Sequence, residues 1–198
     1  ARISVEICSG VLAAGAVIAR VDGSACKVLA VERVALNFLQ RLSGIATLTG
    51  RYVRAIAGTA ADILDTRKTT PGWRVLEKYA VRCGGGVNHR MGLYDSVLIK
   101  DNHLAVLAAA GVDDPIAELA ARFPDVRAAL DAAGGFIEIE VDTLDQFDLA
   151  LPLGADVIML DNMSPDQMRQ AVTRRDTAGL AGKLLLEASG GITLENVR

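Results

Sequence analysis

Five short apolar runs in this 198-residue chain each give way to residues that can carry charge or hold an anion. Ala61–Leu64 is followed by Asp65-Thr66-Arg67-Lys68, and Val97–Ile99 by Lys100-Asp101-Asn102-His103. Phe136–Val141 carries Glu138 and Glu140 and ends in Asp142. Val157–Leu160 ends in Asp161-Asn162, and Leu184–Leu186 runs into Glu187-Ala188-Ser189-Gly190-Gly191. Arginine offers a planar fork for a carboxylate or phosphate, and lysine a movable point charge. Glu140 and Asp161 suit ribose hydroxyls, or a Mg²⁺ ion carried in with phosphates, because Mg²⁺ is usually held by few carboxylates plus substrate oxygens. The Ser189–Gly191 loop precedes a helix-start signal and exposes backbone N–H groups that suit a phosphate. The chemistry that fits is a phosphorylated sugar on the acidic side and a small carboxylate on the basic side.

Distant residues can act together only if the chain folds their strand ends onto one face. Between the apolar runs lie helical spacings at Arg74–Arg82, Pro115–Arg122, Leu144–Leu151 and Pro165–Val172. Strand–helix alternation of this kind predicts a parallel α/β fold, most simply a (β/α) barrel, with an open doubly wound sheet as the alternative. No GxGxxG follows a strand, which counts against a dinucleotide-binding sheet. In a barrel the C-terminal strand ends converge, so Arg67, Lys68, Lys100, Glu140, Asp161 and Ser189 are expected to meet. The barrel occupies residues 59–198 and is C-terminally incomplete. Residues 1–31 read as short strands of a partial N-terminal α/β domain (Ile3, Val5 and Ile7; Val17 and Ala19; Val28 and Ala30). Residues 32–58 read as a bridging helix, with Val34, Phe38, Leu42, Ile45, Leu48 and Tyr52 on one face.

Composition narrows the function classes. Half the residues are hydrophobic (51%) but only eight are aromatic, so the core is aliphatic, as buried parallel strands require. From Arg67 to His103 seven basic residues meet three acids, a local +4 in a chain of net charge −3 that leaves −7 elsewhere. A basic island in an acidic protein fits a small anion; it does not fit nucleic acid or an acidic membrane. Three scattered cysteines without CxxC spacing argue against a disulfide framework or zinc site and for a reducing cytoplasm. No apolar run is long enough to span a membrane. The chain opens inside a strand-like run and stops just after a helix-start signal, and it reads as a piece of a longer protein. Arg74, Lys78 and Arg82 are assigned to solvated helix surface, Gly84–Gly86 to a flexible turn, and His103 to a loop.

Several longer stretches carry a resemblance. They are Asp65–Thr69 with Pro71-Gly72, Lys78–Arg82, Gly84–Arg90 and Leu98–His103. Glu32–Asn37, Leu42–Thr47, Glu138–Asp142, Leu160–Asn162 and Glu187–Gly191 extend it in the same order. Together they resemble the quinolinate phosphoribosyltransferase (carboxylating nicotinate-nucleotide pyrophosphorylase) family. The resemblance implies an N-terminal α/β domain followed by an incomplete α/β barrel. It also implies transfer of phosphoribose from phosphoribosyl pyrophosphate to quinolinate with Mg²⁺, giving nicotinate mononucleotide, pyrophosphate and CO₂ in NAD biosynthesis. Carried over, Arg67, His89, Arg90 and Lys100 would surround quinolinate, and Lys68 with Thr66 would meet sugar-substrate phosphates. Glu140 and Asp161 would take ribose hydroxyls and the metal-pyrophosphate region, and Ser189, Gly190 and Gly191 the 5′-phosphate. The resemblance makes Lys68, Lys100, Glu140 and Asp161 the catalytic set. It also implies a homodimer in which Arg33 is lent to the neighbouring subunit's site, and a further phosphate loop C-terminal to Arg198.

Three other readings remain distinguishable. A same-fold homologue associated with molybdenum transport would not turn over quinolinate. A Schiff-base aldolase would use Lys68 or Lys100 as a desolvated amine. An inactive anion-binding subunit would bind quinolinate without forming product.

Overall fold

The computed structural model describes residues 2–6, 10–131 and 134–198; Ile7 and Cys8 lie outside them. Period-two runs build the sheet that positions the site. β1 (Arg2–Val5) and β2 (Ala19–Asp22) form a small exposed antiparallel pair at the N-terminus. β3 (Val97–Ile99), β4 (Ile137–Val141), β5 (Val157–Asp161) and β6 (Leu185–Ser189) then pair in chain order, each pair parallel. Their register puts Val97, Ile99, Ile137, Ile139, Val141, Ile158, Leu160 and Leu186 on one face. Side chains alternate across a strand, so Glu138, Glu140, Met159, Asp161, Glu187 and Ser189 fall on the other.

The apolar face is the core. It packs against Phe123 and Leu130 of α5 (Phe123–Asp131), Phe147 and Ala150 of α6 (Leu144–Ala150), and Ala171 of α7 (Pro165–Thr177). Phe147, Ile137 and Ile158 have no exposed surface. The return helices start sharply because their caps are reciprocal. Thr143 Oγ1 accepts from Gln146 N–H (3.2 Å), and Gln146 Oε1 accepts from Thr143 N–H (3.3 Å). Ser164 and Gln167 repeat the arrangement at α7.

Several boundaries differ from the sequence expectation. α1 (Ala25–Ala55) begins seven residues before the expected helix, because nothing between Gly23 and Gly44 interrupts propagation once the helix has started. Its inward stripe is narrower than the apolar spacing suggests: Phe38, Leu42, Ile45 and Thr49 pack inward, whereas Val34 and Leu48 are exposed. The expected Ala61–Leu64 strand is reduced to one parallel bridge, Leu64 to Val87. β6 extends through Ser189 because β5 offers it a partner as far as Asp161, so Glu187 lies within the strand. After β3 the chain turns at once into α3 (Asp101–Ala109); His103 lies in its first turn, where Nδ1 accepts the Lys100 N–H (3.0 Å). α2 (Arg74–Cys83) matches its predicted span to one residue. A short α4 (Pro115–Ala120), capped by Asp114, precedes α5. Among the described residues the parallel sheet is open, so the α/β barrel is incomplete. No helix among them is long and apolar enough to cross a membrane.

Candidate active site

The polar face of the sheet is layered by depth. In register, Leu98 lies beside Glu138, Glu140 beside Met159, and Met159 beside Glu187; Asp161 and Ser189 form the last pair at the C-terminal rim. Glu138 in the deepest row is fully buried. Lys100, one residue past β3, forms an ion pair with Glu140. Four carboxylates therefore line one face of a sheet whose other face is wholly apolar.

His89 reaches into this face from the segment after the Leu64–Val87 bridge and is fixed at three points. Its N–H donates to Asp65 Oδ1 (2.9 Å), its carbonyl accepts from Lys78 Nζ (2.8 Å), and its Nε2 lies 2.9 Å from Glu138 Oε2. The ring stands edge-on to Phe136, with centroids 5.0 Å apart. Lys78, expected at the surface, is instead 1% exposed and ion-paired with Asp65. An ammonium on the inner face of α2 is tolerated there because the carboxylate and the carbonyl take up its donors. Arg74 is likewise half-buried, donating to Arg67 O and Met91 O at 3.2 Å each. Arg82 is exposed as expected. Gly84–Gly86 is a packed turn and not a free one: a Cβ at Gly84 would come within 2.4 Å of Ala46 O on α1.

The electrostatics of the cluster follow from these positions. The hydrogen bond to Glu138 raises the His89 pKa against the opposing effect of burial, with the charges of Glu138 and Glu187 adding to it. Burial, then the nearby Glu138 charge, pushes Glu187 up to about 7. Burial and the neighbouring Arg67 charge lower Arg90. Arg90 is 8% exposed and donates to Ser96 O (3.0 Å), while Arg67 Nε is buried without a hydrogen-bond partner. Among the described residues neither guanidinium has a carboxylate within 4.0 Å. Two adjacent, half-desolvated guanidiniums, with the charges of Glu138 and Asp95 reaching Arg90 only across space, suit an anion.

The rim supplies the remaining sequence-predicted residues. Asn162 N–H donates to Ser189 O (2.8 Å), and Asn162 Nδ2 to Asp161 Oδ2 (2.7 Å). Gly190, at φ 81°, approaches so closely that a Cβ would sit 2.1 Å from Asn162 Oδ1. Gly191 follows at φ 67°. Lys68 is exposed, its N–H donating to Thr66 Oγ1 (3.0 Å), and both line a cavity of about 250 Å³ with Asp65 and Lys78. Arg33 is exposed on α1, and no hydrogen bond or ion pair joins it to these groups among the described residues. Glu138 and Glu187 are the functional candidates that sequence reasoning missed. For Glu138 the signal was the Ile137-Glu138-Ile139-Glu140-Val141 alternation, which places it on the same face as Glu140.

Residues 45–198 match the family described as "Quinolinate phosphoribosyl transferase, C-terminal domain", and residues 9–43 its N-terminal domain. The chain belongs to the quinolinate phosphoribosyl transferase family. The boundary between the two matches falls inside α1. A probable nicotinate-nucleotide pyrophosphorylase [carboxylating] of Bacillus subtilis is 47% identical over 185 residues, covering 92% of this chain and 58% of the relative. The Mycobacterium leprae nicotinate-nucleotide pyrophosphorylase [carboxylating] is 46% identical, covering 93% of this chain and 61% of its own length. The chain thus spans about three-fifths of these family members. The solved nicotinate-nucleotide pyrophosphorylase of Francisella tularensis superposes with a TM-score of 0.82 at 38% identity, covering 99% of this chain and 65% of that one. NadC from Streptococcus pyogenes gives 0.80 at 40% identity, with 99% and 65% covered.

Proposed function

We propose that the protein containing this chain joins quinolinate to the ribose of phosphoribosyl pyrophosphate and releases pyrophosphate and CO₂, forming nicotinate mononucleotide for NAD biosynthesis. The observation that carries this reading is the pair of unpaired guanidiniums, Arg67 and Arg90, beside the carboxylate-lined face of a chain in this family. A pyridine dicarboxylate needs two cationic contacts fixed in direction, and half-buried guanidiniums supply them. His89 and Lys100 complete the pocket.

Lys68, with Thr66, meets the substrate's phosphates, and Ser189, Gly190 and Gly191 offer N–H groups to the 5′-phosphate. Glu140 and Asp161 hold ribose hydroxyls. They also fit a Mg²⁺ ion brought in by the substrate: Asp161 sits at the rim, Glu140 lies one layer below, and such an ion needs few protein carboxylates. Bound there, Mg²⁺ would neutralise charge on the departing pyrophosphate.

The anomeric C–O bond breaks with its electron pair going to pyrophosphate, and the pyridine nitrogen forms the new C–N bond. The C2–carboxylate bond then breaks, its electron pair remaining at C2 beside the pyridinium; CO₂ leaves and C2 takes a proton. No side-chain nucleophile is required, and positioning and electrostatics carry the rate. The aldolase alternative loses its support, because Lys68 is exposed and Lys100 is paired with Glu140. We infer, on the same footing, a cytoplasmic homodimer in which Arg33 completes the partner's pocket. Mass spectrometry after mixing the protein with quinolinate, phosphoribosyl pyrophosphate and Mg²⁺ tests the reading. Nicotinate mononucleotide from quinolinate, and none when nicotinate replaces it, is the expected result; quinolinate binding without product would favour the anion-binding subunit.

A further inference from the structure

His89 is held by more contacts than ligand binding alone requires. Asp65 and Lys78 fix its backbone, Phe136 its ring plane, and Glu138 its Nε2. Glu138 is fully buried with its Oε2 2.9 Å from Nε2, and a ring that donates to it carries a proton on Nε2. Nδ1 makes no hydrogen bond to any described residue, the ring's bond to Glu138 being through Nε2. A neutral ring in this tautomer would present a lone pair at Nδ1 and repel an anionic ligand. A doubly protonated ring presents an N–H donor there instead. Glu187 Oε2, 3.6 Å from Nε2, adds negative charge from β6, while Arg90 opposes it from the adjoining position.

We propose that Glu138 is a positioning residue: it accepts the Nε2–H hydrogen bond of His89 and holds the ring as a two-ended donor whose Nδ1–H is aimed at a substrate carboxylate. The inference deepens the transferase reading and rests on it for the identity of the anion. The raised His89 pKa agrees with the geometry. A competing explanation is a metal ion, since His89, Glu138 and Glu187 offer one ligand atom each within 4.8 Å of one another, and one oxygen of each carboxylate is buried without a hydrogen-bond partner.

The test follows the His89 ring by nitrogen NMR and quinolinate binding by calorimetry, from pH 6 to 9. In the wild-type protein both ring nitrogens are expected to be protonated at pH 7. Glu138→Gln keeps the shape and an acceptor but removes the charge. It should move the His89 midpoint down by about one pH unit and weaken quinolinate about ten-fold at pH 8, with little change at pH 6. Phosphoribosyl pyrophosphate binding should stay within about two-fold. In a His89→Gln background, Glu138→Gln should have no further effect on quinolinate.

A neutral wild-type ring at pH 7, which needs no variant to observe, would overturn the proposal. So would a midpoint indifferent to Glu138→Gln, an undiminished effect in the His89→Gln background, or a stoichiometric metal ion lost with Glu138→Gln. Wild-type protein that neither binds nor converts quinolinate would defeat the transferase reading and the substrate half of this proposal. The ring titration would then still report whether Glu138 holds His89.

Discussion

At the scale of residues the site is a sorting of charge by depth and by partner. Lys78 and Lys100 are ion-paired with Asp65 and Glu140, whereas among the described residues neither Arg67 nor Arg90 has a carboxylate within 4.0 Å. On the proposed reading the two arginines bind substrate, the Lys78 pair builds the fold, and Lys100 reaches the pocket from its pair with Glu140. Arg67→Ala and Arg90→Ala should therefore raise the KM for quinolinate by about 10- to 100-fold, the value of one charge-assisted hydrogen bond. The KM for phosphoribosyl pyrophosphate should stay within about three-fold, and steady-state kinetics with each substrate varied checks both numbers. That Lys100 and Glu140 stand together at the strand ends was legible in the sequence, because residue type and strand-end position suffice to place them. Glu138 and Glu187 were not singled out, because their importance depends on His89 arriving from another segment, which no local pattern states. Lys78 was misplaced for the same reason: its partner Asp65 is thirteen residues away in a non-helical segment.

At the scale of elements, period-two alternation in β4 and its neighbours decides which chemistry faces the core and which faces the ligand. That much was readable, and the sheet, α2, α6 and α7 appear close to where the spacing puts them. The length of α1 and the reduction of Ala61–Leu64 to a bridge were not, since both are settled by tertiary pairing more than by propensity. The Lys78–Asp65 pair ties α2 to the segment that carries His89 and Arg90. Removing one partner leaves a buried charge, so Lys78→Met should cost about 3–5 kcal/mol of stability. Chemical denaturation would measure it. Loss of less than about 1 kcal/mol would mean that the pair is not buried in solution.

For the whole molecule, the cluster makes stability depend on pH with a fixed sign. His89 has a raised pKa in the fold, so its contribution is complete below the unfolded value of 6.5 and fades as pH rises through the folded one. Glu187, raised from 4.5 to about 7, also favours the fold on the acid side and loses that advantage as pH rises through 7. Melting temperature should therefore fall between pH 6 and pH 8, and Glu187→Gln should flatten the change; an unchanged slope would remove Glu187 from the account. Arg33, exposed on α1 and apart from the other site residues, belongs to a complete pocket only if a second subunit supplies it. Mixing Arg33→Ala and Lys100→Ala proteins should then restore part of the activity through hybrid dimers, and no recovery despite proven subunit exchange would contradict the shared pocket. The most direct measurement of all is CO₂ release from quinolinate labelled with ¹³C in its 2-carboxyl group, followed alongside pyrophosphate. One labelled CO₂ per pyrophosphate, dependent on phosphoribosyl pyrophosphate and slowed in Arg67→Ala at sub-saturating quinolinate, is the predicted result. Pyrophosphate without labelled CO₂, or neither product from the wild-type protein, would contradict it.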